Sequence, residues 1–363
     1  MGNSGRAGWR GRSIVGIVMG TGWLASMLAA SAVHAGDLDN EPVSFRINLA
    51  LDRSSSFTDT LGRTASVAYP LGSSINPAGY DFLREPPFDF KNIVTASSNT
   101  VFFNHSGAVT GFSVNMAHRF DGAGTLSGVY IRTDSHEADS RQGDAFALRS
   151  NQFILAYSHR LQQDLSVGGS VKVTDSMLGI DDTFMGFPRD TNTESTGVDF
   201  NLGVLKALSS DWTVGVVGGF GWTGSDTDAV MHFPGPPFGP GSIRADVSDT
   251  TFSSNVRVGL GWKPSQNLGF YADGQYLHLD NDLGSVDVGR LLAGAEFFPR
   301  PWLALRAGGS LDTDSNTGVS AGIGVYPSRN VMLEFAYVYN AFPEVNREFG
   351  RAHMVSASVI IRF

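Results

Sequence analysis

The last ten residues of the chain alternate between hydrophobic and polar side chains. The residues on one face are Val355, Ala357, Val359, Ile361 and Phe363, and those on the opposite face include Ser356, Ser358 and Arg362. Only Met354 and Ile360 interrupt this period of two, which is the signature of a β-strand. A strand that ends the chain with an apolar face and a terminal aromatic residue is typical of the closing strand of an outer-membrane barrel. The alternative is the buried closing strand of a soluble β-domain.

Similar alternation recurs from about residue 92 onward. It predicts fourteen strands, at 92–104, 107–120, 124–134, 149–161, 164–175, 194–208, 211–223, 246–263, 267–279, 286–298, 301–311, 317–326, 329–341 and 351–363. Every second connection is a tight turn, such as 209–211, whereas those between are usually longer, as at 176–193 and 224–245. Short turns on one rim and long loops on the other indicate an all-β, 14-stranded antiparallel transmembrane outer-membrane β-barrel, over 92–363.

The pattern alone does not decide which face of the strands points outward, because a soluble barrel would show the same period with its faces reversed. Four tryptophans lie near strand ends, where aromatic girdles meet lipid headgroups: Trp212, Trp222, Trp262 and Trp302. Ionisable residues occupy the polar faces, among them Lys172, Asp199, Arg257, Glu296, Arg306 and Glu334. A hydrated or networked lumen tolerates such groups better than a dry core does.

The N-terminus has the features of a secretory signal peptide, predicted at 1–35. Arg6, Arg10 and Arg12 precede an apolar run over 14–28, and Ala35 ends a small-residue cleavage pattern. The alternative is an uncleaved membrane anchor. Removing the three arginines changes the formal charge from −9 to 23 − 35 = −12, and this acidity argues against nucleic-acid binding. The predicted localisation is the outer membrane of a Gram-negative bacterium.

No catalytic or metal-binding pattern is recognisable along the chain. The chain has 8 scattered His and no Cys, which excludes thiol chemistry and gives no paired metal ligands. The acidic stretch 312–318 departs from the calcium-loop spacing, because its glycine is one position late and Ile323 replaces the closing glutamate. We therefore expect a protein that is not an enzyme and needs no cofactor or metal.

Residues 36–91 do not resemble a pair of barrel strands, and they are too long for a simple linker. Pro77 fixes its own φ and disfavours helix at Asn76, and Gly79 permits a positive φ. The sequence Asn76-Pro77-Ala78-Gly79 therefore predicts a stiff turn that could hold a plug inside the barrel. The alternative is an ordinary surface turn.

The segment 74–80 resembles the Asn-Pro-Ala signature of the FadL-type outer-membrane hydrophobic-compound transporter family, and 61–65 resembles the segment that precedes it. The hairpin 157–172 is similar to one in the wider family, which includes PorV-like relatives. The resemblance implies an N-terminal hatch over 36–91, with Asn76, Pro77, Ala78 and Gly79 as hatch residues. It also implies diffusive uptake of hydrophobic compounds such as long-chain fatty acids or hydrocarbons.

Two predicted long loops are unusually apolar. Their candidate ligand-capture residues are Phe184, Met185 and Phe187 in the first loop, and Met231, Phe233 and Phe238 in the second. Exposed Met and Phe suit a surface that receives a hydrophobic ligand. These loops could equally cap the barrel mouth, or dock a partner.

The expected partners are a hydrophobic small molecule, outer-membrane lipid and the outer-membrane assembly machinery, without nucleic acid. The sequence is also compatible with two alternative functions. One is a PorV-like barrel that docks secreted proteins or assembly machinery, and the other is a polar-solute porin.

We interpret Val359, Ile361 and Phe363 as an assembly signal at the C-terminus. Phe363→Ser should therefore lower the amount of assembled protein in the outer membrane, because it removes the aromatic end of the lipid-facing pattern. Ser358→Ala, on the opposite face of the same strand, is the control and should assemble normally. Quantifying both proteins in outer-membrane fractions tests the signal, and normal levels of Phe363→Ser would refute it.

Overall fold

The computed structural model describes residues 76–82, 90–103, 106–136, 138–139, 145–184, 187–235, 239–281, 284–313, 316–342 and 350–363. The predicted signal peptide and most of the predicted hatch lie outside these residues. Within them, fourteen strands form one closed antiparallel sheet, so the predicted 14-stranded β-barrel is confirmed. No helix among the described residues is long and apolar enough to cross a membrane.

The barrel strands follow one another in chain order after a short helix, α1 (Gly79–Phe82). The first seven are β1 (Asn92–Phe103), β2 (Ser106–Phe120), β3 (Gly124–His136, continued by Ala138–Asp139), β4 (Ala145–Gln162), β5 (Leu165–Phe184), β6 (Phe187–Ala207) and β7 (Trp212–Gly235). The remaining seven are β8 (Gly239–Ser265), β9 (Leu268–Asn281), β10 (Gly284–Arg300), β11 (Leu303–Asp312), β12 (Thr317–Ser328), β13 (Val331–Tyr339) and β14 (Ala352–Arg362).

The barrel closes by pairing its first strand with its last. β1 and β14 are antiparallel and in register from Ile93 opposite Arg362 to Phe103 opposite Ala352. Every other strand pairs with its sequence neighbours. Closure leaves the barrel wall without the row of unbonded backbone groups that an open sheet edge exposes.

The apolar faces of the strands point outward, which settles the question that the alternation left open. Leu202, Phe363 and Met116 are 72%, 63% and 60% exposed, whereas inward-facing Glu334 is fully buried. Met354 and Ile360, the two interruptions in the last strand, also point inward and are buried. They are apolar because of what they contact inside the barrel, as described below.

Two aromatic groups on the outer face mark the height of the apolar band. Trp212 stacks on Trp262 at 5.5 Å between ring centroids, and Trp222 lies 5.8 Å from Phe252. Trp212 and Trp222 both belong to β7, and their separation along the strand is about 33 Å. At a strand tilt of about 40° this corresponds to about 25 Å along the barrel axis, the usual height of a lipid-facing band.

The long connections predicted at 176–193 and 224–245 are wrong in extent, because most of these residues continue the strands. β6, β7 and β8 contain 21, 24 and 27 residues. Just above the band both faces are polar, which hides the period of two, but cross-strand bonds continue. Thr193 and Thr227 hydroxyls lie 3.0 Å apart, and Ser195 and Ser225 hydroxyls lie 2.9 Å apart. We call these extensions, residues 176–184, 187–196, 223–235 and 239–251, the tower.

A closed, fully paired barrel should resist detergent until it is heated, because all strands must separate together. We therefore expect the unboiled protein to migrate faster than the boiled protein in a detergent gel. Deleting Ala352–Phe363 removes the closing strand and should abolish the fast band. Identical migration of boiled and unboiled full-length protein would contradict closure.

Candidate functional site

A short segment of the chain crosses the inside of the barrel near the short-turn end. Asn76 and Ala78 are fully buried, and Tyr80 is almost so. We call residues 76–82, which include α1, the crossbar. It contains the four residues that the resemblance marked as hatch residues, so the candidate site is built around it.

The Asn-Pro-Ala-Gly sequence folds locally as its residue types predict. The backbone N–H of Gly79 donates to the carbonyl of Asn76 at 3.0 Å, and that of Ala78 donates to Asn76 Oδ1 at 3.0 Å. These bonds close a turn in which Pro77 fixes one backbone angle. Asn76 Nδ2 then reaches the wall and donates to the carbonyl of Val204 at 3.3 Å.

Two glycines of the wall make room for the crossbar. A Cβ added at Gly168 on β5 would lie 2.5 Å from the carbonyl carbon of Pro77. A Cβ added at Gly203 on β6 would lie 2.9 Å from Pro77 Cδ and would overlap Asn76. Beside them, Ser166 Oγ donates to the carbonyl of Ala78 at 2.8 Å. The crossbar is therefore fitted to this part of the wall.

The other end of the crossbar meets a different part of the wall. The Tyr80 hydroxyl accepts a hydrogen bond from the side chain of Asn115 on β2. Its ring packs in a buried cluster that also contains Ile93, Ala117, Met332 and Ile360. These residues belong to β1, β2, β13 and β14, so the crossbar spans the lumen from β5 and β6 to the closing seam. This contact explains why Ile360 is apolar.

A buried network of charges lies in the wall next to this cluster. Arg306 on β11 donates through Nε to Glu296 at 2.9 Å, pairs with Glu334, and donates to the Tyr326 hydroxyl at 3.1 Å. The Arg306 side chain is 1% exposed, and Gly324 leaves space beside its guanidinium group. Because an unpaired buried charge is costly, removing one member should destabilise the others.

Two more arginines lie beside Phe90, two residues before the start of β1. The guanidinium carbons of Arg119 and Arg362 lie 5.4 and 5.7 Å from the centre of the Phe90 ring, within cation–π range. Phe90 also packs against the Tyr80 cluster. The crossbar, Phe90 and the buried arginines together form a polar lower layer of the lumen.

The lumen becomes apolar towards the opposite end of the barrel. A buried cluster there contains Val101, Val109, Leu148, Leu178, Val338, Phe342, Ala352 and Met354. Phe103 and Phe342 rings are 6.5 Å apart at this level. We call this cluster the upper layer, and it explains why Met354 is apolar.

The tower has two chemically different faces. Met231 on β7 is directly opposite Ile243 on β8, and both lie on the face that continues the lumen. Ile243 and Val247 are 63% and 59% exposed. Ala229 and Ala245 complete this stripe, which we call the inner stripe. Of the inner stripe, the sequence analysis predicted only Met231, because it assigned residues 224–245 to a loop. Ile243, Ala245 and Val247 could have been found from their alternation with the charged residues Arg244 and Asp246.

The outer face of the tower is acidic. Asp228 is directly opposite Asp246, and Arg244 lies between them, with its Nη2 2.7 Å from Asp228 Oδ2 and its Nε 3.3 Å from Asp246 Oδ1. The hydrogen bond to Asp246 and the charge of Asp228 raise the pKa of Arg244 above its ordinary value. His232 and Asp190 make a further contact of 3.0 Å.

The remaining predicted capture residues that the structure describes lie in strands and not in loops. Phe184 ends β5 directly opposite Phe187, the first residue of β6, and Phe233 belongs to β7. Met185 and Phe238 lie outside the described residues. The proposed assembly residues Val359, Ile361 and Phe363 all face outward and are 40%, 43% and 63% exposed.

No group of three or more potential metal ligands occurs in the part of the chain that the structure describes. The arrangement instead offers surfaces of different polarity along one axis. These are an apolar inner stripe on the tower, an apolar upper layer, and a polar lower layer that the crossbar fills. Such an arrangement can bind and orient a ligand without any covalent chemistry.

No protein-family profile matches the chain, and no curated protein matches its sequence. Solved structures do match. The Ralstonia pickettii toluene transporter TbuX is 13% identical, with a TM-score of 0.65 over 85% of this chain and 98% of that chain. The Pseudomonas putida toluene transporter TodX is 12% identical, with a TM-score of 0.58 over 84% and 96%. A Pseudomonas aeruginosa FadL homologue is 11% identical, with a TM-score of 0.60 over 85% and 98%.

These structures are FadL-type transporters and hydrocarbon transporters, so the resemblance drawn from the sequence is confirmed at the level of the fold. At this level of identity the likeness concerns the fold alone.

Alanine at the wall glycines should displace the crossbar and open the lumen to small polar solutes. In Gly203→Ala and Gly168→Ala the new methyl group overlaps backbone or side-chain atoms of 76–78, at a cost of about 1–3 kcal/mol. We expect a several-fold rise in ion conductance across planar bilayers. Gly218→Ala is the control, because a Cβ there meets no atom within 4 Å. Equal conductance in all three variants would show that the crossbar does not close the lumen.

Proposed function

We propose that the protein is an outer-membrane channel of a Gram-negative bacterium for the diffusive uptake of hydrophobic compounds. The observation that carries this proposal is the sequence of inward apolar surfaces, from the inner stripe of the tower to the upper layer of the lumen. Channels described as toluene transporters and monoaromatic hydrocarbon channels share the fold, which supports the same class of ligand here.

The membrane location is supported by the polarity of the barrel surface. A water-exposed protein that displayed so many large apolar side chains in one band would aggregate. The inward face carries buried charges instead, including Glu334 and Arg306. This distribution suits a barrel with lipid outside and polar groups inside.

Capture of the ligand would begin on the tower. The inner stripe exposes Ile243 and Val247, and covering an apolar side chain with a ligand stabilises the complex by up to about 1.5–3 kcal/mol. The sheet backbone already fixes the positions of these side chains, so little conformational entropy is lost on binding. The acidic outer face would not attract a hydrophobic ligand, which favours binding on the lumen side.

The upper layer is the next surface that the ligand would reach. Phe103 and Phe342 form an aromatic pair in a buried apolar cluster, and side chains of this kind accommodate flat rings and acyl chains alike. Below this level the ligand meets the crossbar and the polar lower layer. We propose that the crossbar belongs to a hatch over 36–91 which must shift before the ligand leaves, into the membrane or into the periplasm.

Different features of the structure bear on the two alternative functions. A docking barrel is favoured by the tower, because strands of up to 27 residues present a large surface to a partner. An open polar-solute porin is disfavoured by the crossbar, which spans the lumen and is bonded to both sides of it. Uptake measurements separate the two remaining functions, because a docking barrel needs no hydrophobic ligand.

Polar substitutions on the inner stripe should weaken uptake of a hydrophobic compound. Met231 and Ile243 are directly opposite one another, so replacing both with Ser removes one continuous contact. We expect roughly tenfold weaker uptake of labelled toluene or fatty acid at matched surface expression, corresponding to about 1.4 kcal/mol. The assay is uptake by intact cells.

The matched control is Val230→Ser, which removes an apolar side chain from the outer face of the same strand. It should leave uptake unchanged. Equal uptake by the control and the Met231→Ser/Ile243→Ser variant would remove the capture role from the tower. No uptake by the wild-type chain above cells that lack it would overturn the proposed function itself.

A further inference from the structure

The upper half of β8 has an unpaired edge. β9 pairs with β8 only as far as Asp280 opposite Phe252, whereas β7 pairs with β8 up to Gly239. Over 239–251, therefore, no other described strand lies along the second edge of β8. Residues 241–248 are also exposed. Such an edge is a template for pairing with another strand.

The register determines which backbone groups the edge presents. The backbone N–H of Lys263 donates to the backbone carbonyl of Asp211, on the β7 side, at 2.8 Å. The β7–β8 register then continues without a shift to Gly239. Because successive residues of a strand direct their backbone groups to opposite sides, even-numbered residues of β8 present theirs to the free edge.

The free edge is bounded at both ends. Pro240 has no backbone N–H to donate. At the other end, the N–H of Thr250 already donates to Asp249 Oδ1 at 2.7 Å. The stretch that remains open to another strand is Ser242–Ser248, with free N–H groups expected at even-numbered positions.

This stretch is complementary to itself in the antiparallel direction. With a twofold axis at Ala245, the facing pairs are Ser242 with Ser248, Ile243 with Val247, Arg244 with Asp246, and Ala245 with its own copy. The even-numbered pairs are the hydrogen-bonded ones, so about eight backbone hydrogen bonds would form. Ile243 and Val247 would meet on the inner face, and the opposite charges would meet on the outer face.

The charges of the single chain favour this partner. Asp228 and Asp246 are directly opposite each other and share one guanidinium group, that of Arg244. Like charges in this position destabilise a strand pair. In the twofold arrangement each Asp246 lies directly opposite the Arg244 of the second copy, so opposite charges face each other at two places across the new strand pair.

We propose that two copies of this protein associate through the upper edge of β8, in antiparallel register about Ala245. The sheet of one tower then continues into the sheet of the other. Because the paired β8 strands run in opposite directions, the two barrels also point in opposite directions along β8. This is the arrangement expected of two copies in facing membranes, and it does not depend on the proposed transport function.

A single cysteine tests the axis directly, because the natural chain has no Cys. Ala245→Cys places two thiols opposite each other in a pair whose Cα atoms are about 4.5 Å apart, close enough for a disulfide. We expect a disulfide-linked dimer when the detergent-solubilised protein is oxidised at low concentration. Ser248→Cys is the control, because its two copies would be about 20 Å apart. Absence of the Ala245→Cys dimer, or equally fast cross-linking of both variants, would overturn the proposal.

The charge pair tests the register independently of the thiol position. In the Ala245→Cys background, Arg244→Asp should slow dimer formation about tenfold, because opposite charges become like charges at two symmetric places. Adding Asp246→Arg should restore the rate by reversing the pair. Each variant is first checked for heat-modifiable migration, so that only assembled barrels are compared. A double variant that remains as slow as Arg244→Asp would rule out this register.

Discussion

The need to bond every backbone N–H and C=O group of the sheet is the constraint on which this structure depends. An open sheet leaves one row of such groups at each edge, and in hydrocarbon each would cost several kcal/mol. The pairing of β1 with β14 removes both edges at once. With the backbone satisfied, the side chains are free to differ on the two faces, so the outer face is apolar and the inner face holds charges such as Arg306 and Glu334.

Closure also encloses a space, and the crossbar occupies part of it. In a small closed barrel the side chains of the wall fill the lumen, whereas a wider barrel leaves space inside. Here two wall glycines, Gly168 and Gly203, bring the backbone of 76–78 against the wall, and Tyr80 reaches the opposite side. The same lumen is apolar at the other end, around Phe342. The two ends of the enclosed space therefore differ in polarity.

Above the apolar band the constraint is relaxed, because water can satisfy an exposed edge. β7 and β8 continue there as a two-faced ribbon, and β8 loses its second neighbour beyond Phe252. The inner stripe and the free edge of β8 therefore both occur above the apolar band, where water can reach the sheet. One supplies an apolar surface that continues the lumen, and the other supplies backbone groups that can bond a second chain.

The sequence by itself determined the number of strands, their antiparallel order and which residues share a face, because an apolar outer face and a polar inner face impose a strict period of two. It also located the stiff turn at Asn76, whose residue types fix the backbone locally. The period of two did not by itself determine which face is outside, since a reversed barrel has the same period. The tryptophans near strand ends and the charges on the polar faces indicated that the apolar face is the outer one. The sequence did not reveal the tower, since strands such as 223–235 begin with polar residues on both faces and therefore lack a clear period of two. Only the tertiary structure placed Gly168 and Gly203 against the crossbar, paired Met231 with Ile243, and left one edge of β8 free. These features depend on barrel closure and strand register, which bring together residues far apart in the chain, and a local sequence pattern does not reveal them.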